Sequence, residues 1–256
     1  MSARGLAVPL AAAALLALAA GIARAEYVQQ GKLLVFFDAG IAPKSLPRDQ
    51  LAPVKVGFAG SFEDLEGRDA PALQTMTLRL ARGGVIDSQG LPRCSKQRLA
   101  QTSSQLALAA CRRALVGRGV VGSAIRFPDG KRRRYSSQLL LFNAGRDVLM
   151  HIYTREPVEG TFVVPLKIRK AGGRFATVLS ARFPRLAAGY GYLTGFRMTL
   201  QREFRHHGRK RSYLLASCAA PRGLNRVAFE LARVEFRFAA ATTVRSSSIN
   251  VCRVKG

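Results

Sequence analysis

The chain has 256 residues, 48% of them apolar, no tryptophan and a formal net charge of +26. That length buries a full hydrophobic core in one all-β domain or two small domains. After residue 25 no apolar run approaches the ~20 residues of a membrane-spanning helix, and the six scattered tyrosines form no evident stacking platform, which disfavours nucleic acid as a partner.

Arg4 opens the chain with a positive charge, Leu6 to Gly21 is an uncharged apolar run, and Ala23-Arg24-Ala25 places small residues at both positions that a signal peptidase reads. Residues 1–25 are therefore expected to be a secretory signal peptide, too short for a membrane anchor. Cleavage leaves 231 residues, and the loss of Arg4 and Arg24 lowers the charge from +26 to +24. A charge of that size points to a polyanionic partner such as a wall polymer or an anionic polysaccharide. It is also what a merely well-solvated surface carries. The 9 lysines against 32 arginines fit the arginine bias of a GC-rich genome, which weakens the first reading.

Residues 26–53 are read as an N-terminal lead-in segment with one strand at Leu33 to Phe37, and residues 54–256 as a single β-sandwich domain. Strict alternation marks the strands. Val54, Val56 and Phe58 alternate with Lys55 and Gly57; Leu78 and Leu80 with Arg79; Val148, Met150 and Ile152 with Leu149, His151 and Tyr153; and Phe162, Val164, Leu166 and Ile168 face one way with Pro165, Lys167 and Arg169 on the other. Phe175 to Ala181, Phe196 to Leu200 and Val234 to Phe238 repeat the pattern. Pro165 cannot donate to a ladder and predicts an edge strand. Turn residues recur at Pro128-Asp129-Gly130, Ala171-Gly172-Gly173 and His207-Gly208. Such punctuated alternation belongs to antiparallel sheets with one wet face, and the fold expected is an all-β sandwich, immunoglobulin-like or jelly-roll-like. One segment breaks it. Ser95 to Arg113 has helical spacing, a serine able to cap its start and arginines at its end, which predicts one short helix near residues 95–113.

Four cysteines, Cys94, Cys111, Cys218 and Cys252, imply two disulfides in an exported chain, with three connectivities open. Sequence proximity favours Cys94–Cys111 and Cys218–Cys252. A straight helix of 17 residues is about 25 Å long, so the first bridge requires the chain from Leu91 to Leu99 to fold back along a shorter helix. No metal site is expected, because no CxxC pair exists.

Gly117 to Gly122 matches G-x-G-x-x-G, but a helix precedes it and a strand follows, the reverse of a dinucleotide site. It reads as a glycine-rich bend into a strand. His151 reads as a hydrogen-bonded structural residue, and adjacent His206 and His207 make a poor chelating pair because strand neighbours point apart. Glu63, Asp64, Glu66 and Asp69 crowd one short segment and read as a solvated loop, not a paired-carboxylate site. No cofactor site and no catalytic residue emerge. Two basic runs remain as candidate polyanion contacts: Arg132, Arg133 and Arg134 after one turn, and Arg205, Arg209, Lys210 and Arg211 around another. They form one patch only if both tips emerge at the same end of the domain.

Gly90-Leu91-Pro92-Arg93-Cys94, Cys111 to Gly119, Gly195-Phe196, Ser212 to Cys218 and Cys252 resemble a family of secreted β-rich proteins of high-GC Gram-positive bacteria that has no assigned activity. The resemblance spans about Val54 to Cys252 and implies export and a β-rich domain; no functional residue follows from it. The function expected is a non-catalytic binding module for anionic cell-envelope or extracellular polymers. The alternatives are a structural envelope or matrix protein without a specific ligand and, least supported, a hydrolase with an unrecognised site. N-terminal sequencing of the exported protein is expected to begin Glu26-Tyr27-Val28; a mature chain retaining Met1 refutes export by this route.

Overall fold

Successive side chains of a pleated backbone point to opposite faces, so the alternating segments become strands with one face buried. The computed structural model describes residues 26–255, and the expected signal peptide lies outside the described residues. The elements run β1 (Glu26–Gln30), β2 (Leu33–Ala42), β3 (Ser45–Leu46), β4 (Ala52–Pro53), β5 (Lys55–Asp64), β6 (Leu73–Ala81) and β7 (Gly84–Ile86). Helices α1 (Lys96–Leu99) and α2 (Ser104–Cys111) come next. Then follow β8 (Leu115–Arg126), β9 (Arg132–Asn143), β10 (Asp147–Thr154), β11 (Gly160–Lys170), β12 (Phe175–Arg182) and β13 (Gly191–Leu200). The chain ends with β14 (Glu203–His206), β15 (Arg209–Ser212), β16 (Leu214–Ala216), β17 (Arg226–Phe238) and β18 (Thr243–Val254).

Thirteen strands form one sheet in the order β1-β2-β5-β13-β8-β9-β10-β11-β12-β6-β17-β18-β3. Every pairing in it is antiparallel except the short parallel contact of β18 with β3. Twist accumulates across so many strands, and the sheet curls onto itself. The all-β expectation holds, with its two facing layers belonging to one continuous sheet. Where the ends meet, Ser248 Oγ donates to Asp38 Oδ1 at 3.1 Å and to the Ala39 carbonyl at 2.9 Å. Asn250 Nδ2 donates to the same carbonyl at 2.6 Å, and the Ser247 N–H donates to Glu26 Oε2 at 2.8 Å.

Inside the curl, Phe62 of β5 meets Phe236 and Phe238 of β17 edge-on at 5.0 and 5.3 Å between ring centres, and Phe37 of β2 meets Phe236 at 6.1 Å. All four rings are fully buried, and burial stabilises by about 1.5–3 kcal/mol per phenylalanine side chain. The predicted inward residues of β5, β10, β11, β12, β13 and β17 face this core.

Four expectations need correction. Residues 26–53 are not a lead-in: β1 and β2 belong to the large sheet, and Leu33, Val35, Phe37, Ala39 and Ile41 fill its core. The mixed charges around that run hid its ten-residue alternation. Pro165 lies in a strand paired on both sides, but β12 pairs only with Lys167 to Lys170 of β11, so Pro165 stands where that ladder has already ended. The helix is broken in two. Ser95 caps α1, Gln101 takes a left-handed φ of 55°, and Ser103 caps α2. This fold-back brings the Cys94 and Cys111 Cα atoms to 5.7 Å, and the bridge forms; Cys218 and Cys252 are bridged with Cα atoms 5.8 Å apart. Each cross-link contributes about 3 kcal/mol in the loop-entropy account.

Gly117 to Gly122 is no bend: it lies within β8. A Cβ on Gly119 would stand 2.2 Å from the Arg197 carbonyl oxygen, and one on Gly117 2.4 Å from that of Thr199. The glycines let β8 and β13 approach closely where the sheet curls. Gly119→Ala is therefore expected to destabilise the protein by about 2 kcal/mol or more through overpacking. Gly40→Ala, whose Cβ meets nothing within 4 Å, shifts the melting temperature little. Equal melting of the two variants refutes the close-approach argument.

Candidate functional site

Arg132, Arg133 and Arg134 open β9 opposite Arg126, Ile125 and Ala124 of β8. The other basic run follows Leu200, which pairs with Gly117, whereas Gly191 at the start of β13 pairs with Ile125. The two runs therefore leave opposite ends of the sheet, roughly 30 Å apart at ~3.3 Å per strand residue. The single seven-residue patch does not form.

Several of the seven are already engaged. The Nη1 of Arg132 donates to the carbonyls of Gly67 and Arg68 at 3.0 and 2.9 Å and lies 3.8 Å from Asp69. Asp69 also pairs with Arg126 at 2.5 Å, so part of the acidic loop ties down the β8–β9 hairpin. Arg133 lies over the Phe127 ring at 5.0 Å. Arg211 is paired with Asp87, and Lys210 with Glu203, both at 2.8 Å. Arg205 and Arg209 are exposed on the β14–β15 hairpin. At its tip His207 has a φ of 48°, and the His206 and His207 rings stand 4.0 Å apart. The left-handed turn, not strand geometry, sets their directions. Among the described residues no group of three or more metal-ligating side chains occurs.

Arg134 has a different setting. With Ser136 and Gln138 it forms a polar stripe on β9, and Tyr153 of β10 pairs opposite Gln138. Arg155 and the start of α2 complete a polar groove of about 650 Å³. Ser103 Oγ accepts the Leu106 N–H at 3.3 Å, which leaves the N–H groups of Ser104 and Gln105 without intrahelical acceptors. The first turn of α2 carries no acid. Ser104 lines the groove, is 7% exposed, and its hydroxyl has no hydrogen-bond partner. Among the described residues neither Arg134 nor Arg155 forms an ion pair. Glu156 borders the groove as well, and Glu159 accepts the Tyr153 hydroxyl at 2.5 Å, a bond that raises the phenol pKa. Two guanidinium groups and free helix N–H groups converge on one concavity, an arrangement suited to an oxyanion.

Of the seven sequence candidates only Arg134 lines this groove. Arg155, Ser104 and Gln105 escaped the sequence reading because they come from different elements. The alternation of Arg134, Ser136 and Gln138 was the one local signal, a polar outer face on a strand.

Below the helices the outer face of the sheet is dry. Leu140, Phe142 and Leu149 pack with Leu99, Ala107 and the Cys94–Cys111 bridge. His151 sits among them, fully buried, with Nε2 3.0 Å from the Thr102 carbonyl and 3.2 Å from its hydroxyl. The structural role expected for His151 is what this geometry provides. Compared with known protein families, curated proteins and solved structures, the chain matches none.

Burial holds the His151 pKa below its ordinary 6.5, so folding disfavours the protonated ring. Its contribution is complete above pH 6.5 and is lost as pH falls below that value, because the unfolded chain then binds the proton more readily. Urea unfolding is expected to give a stability that declines from pH 7 to pH 5, at up to ~1.4 kcal/mol per pH unit for one proton. His151→Gln is expected to flatten that stretch; an unchanged slope refutes the assignment.

Proposed function

We propose that the mature protein is exported and acts as a non-catalytic binding module for anionic cell-envelope or extracellular polymers, with the groove at the start of α2 as its main contact. The convergence of Arg134, Arg155 and the Ser104 and Gln105 N–H groups carries this reading. The strong positive charge supports it by steering polyanions toward the surface. The two disulfides fit an oxidising compartment, and the cysteine-flanking segments that resemble a secreted β-rich family of high-GC Gram-positive bacteria support the same location.

A second reading rests on the engaged arginines. Arg126, Arg233, Arg237 and Arg245 all hold acidic partners within the protein, as they would in a structural envelope or matrix protein whose charge serves solubility alone. The two readings differ in where binding resides.

Heparin serves as a linear polyanion in a salt titration. Wild-type protein is expected to bind at low ionic strength with affinity that falls steeply as salt rises, through counterion release. Arg134→Glu with Arg155→Glu is expected to lower the slope of log affinity against log salt by about two, one for each lost contact. Arg209→Glu with Lys210→Glu on the distant hairpin is expected to do less, and both variants are expected to melt like wild type. No binding at low salt, or equal binding after the groove is reversed, favours the structural reading.

A further inference from the structure

Beyond polyanion binding, we propose a second site: an apolar cavity on the inner face of the sheet that accepts one unbranched hydrocarbon chain bearing an uncharged polar head. The cavity opens where β11 and β12 part. Their ladder covers only Lys167 to Lys170 of β11, so Phe162 and Val164 lie beyond it, and they line a space of about 280 Å³. Val121 and Ile125 of β8, Ile152 of β10 and Leu193 of β13 close the far walls.

Cavity size and lining select the occupant. An apolar cavity of ~150 Å³ stays dry and takes up benzene, and this one is nearly twice as large. Its walls are mostly aliphatic and aromatic; the hydroxyls of Ser123, Ser137 and, at the rim, Thr154 are the polar side-chain groups on the strands lining it. Val158, which lines the cavity, is 75% exposed. A hydrocarbon entering there covers that apolar side chain. The segment over the mouth is held in an unfavourable backbone: Ala187 and Ala188 have φ values of 46° and 52°. Left-handed geometry costs a non-glycine residue about 1–2 kcal/mol.

The rim sets the head group. Thr154, Glu156 and Glu159 border the opening, two carboxylates on a protein that has only 15 acidic residues in all. They repel a carboxylate or phosphate head; the Thr154 hydroxyl, whose proton goes to the Glu156 carbonyl at 2.6 Å, can still accept a hydrogen bond from an uncharged one. Thr154 and Glu156 border the α2 groove as well, so the two openings adjoin, and the cavity differs from the groove in its apolar walls.

Titration with N-phenyl-1-naphthylamine, a neutral apolar fluorophore, tests the cavity. A saturable one-to-one fluorescence rise is expected, reversed by decanol and much less by decanoate. Ser123→Phe, which fills the cavity, is expected to weaken probe binding by about tenfold or more, while heparin binding stays at the wild-type level. Ser123→Leu adds less bulk and serves if the phenylalanine variant does not fold. Leu106→Ala, on the outer surface of α2 and 60% exposed, is expected to leave the probe unaffected. Absence of saturable binding, or equal binding by wild type and a folded Ser123 variant, overturns the cavity site. Displacement by decanoate as readily as by decanol overturns the assignment of the head group.

Discussion

The contact of Phe37 and Phe62 with Phe236 and Phe238 is the interaction on which the rest of the structure depends. These rings come from strands near opposite ends of the sheet order. An open thirteen-stranded sheet would expose its apolar face to water; curling lets that face cover itself. The hydrogen bonds from Ser247, Ser248 and Asn250 to Glu26, Asp38 and Ala39 then close the seam without a backbone ladder. Hydrophobic burial supplies the driving force, and the seam's polar groups avoid the cost of being buried unpaired.

Curling has two geometric consequences. Strands that bend together crowd their backbones, which accounts for glycine at positions 117 and 119, where any side chain would collide with β13. Strands also cannot stay paired along their whole length. β11 and β12 separate beyond Lys167, and the apolar cavity lies in the gap they leave. A glycine series resembling a phosphate-binding loop and a proline resembling an edge marker therefore have one origin, the shape of the sheet.

The outer face is treated unevenly. Most of it is wet and arginine-rich, but over β9 and β10 the broken helix and the Cys94–Cys111 bridge cover Leu140, Phe142, Leu149 and His151. The break between α1 and α2 gives α2 its own serine-capped start beside Arg134. One unbroken helix from residue 95 would put no helix N-terminus there. The bridge that forces the fold-back thus also creates the groove, so stability and the candidate site share a cause. Elsewhere, charge is spent internally: Asp69 and Glu235 each hold two arginines, and a charge count overstates what is free to meet a ligand.

The strand class, the inward face of most strands and the structural role of His151 were legible in the sequence, which also favoured both disulfide pairings without excluding the other two connectivities. Each of these is local or nearly so: period-two alternation, cysteine proximity, a histidine among aliphatic neighbours. Membership of residues 26–53 in the sheet was legible only in part, because Leu33 to Ile41 alternates but sits among charged and turn-forming residues. That the two basic runs lie at opposite ends follows from the fold and not from the chain, since it depends on the β8–β13 register between residues some 75 positions apart. The fold likewise sets that Arg134 meets Arg155 and the start of α2, and that an apolar cavity opens between β11 and β12. Alternation states which way a side chain points from its own strand. Which neighbour it then meets depends on strand order and curvature, and those are set by the burial of the whole sheet at once.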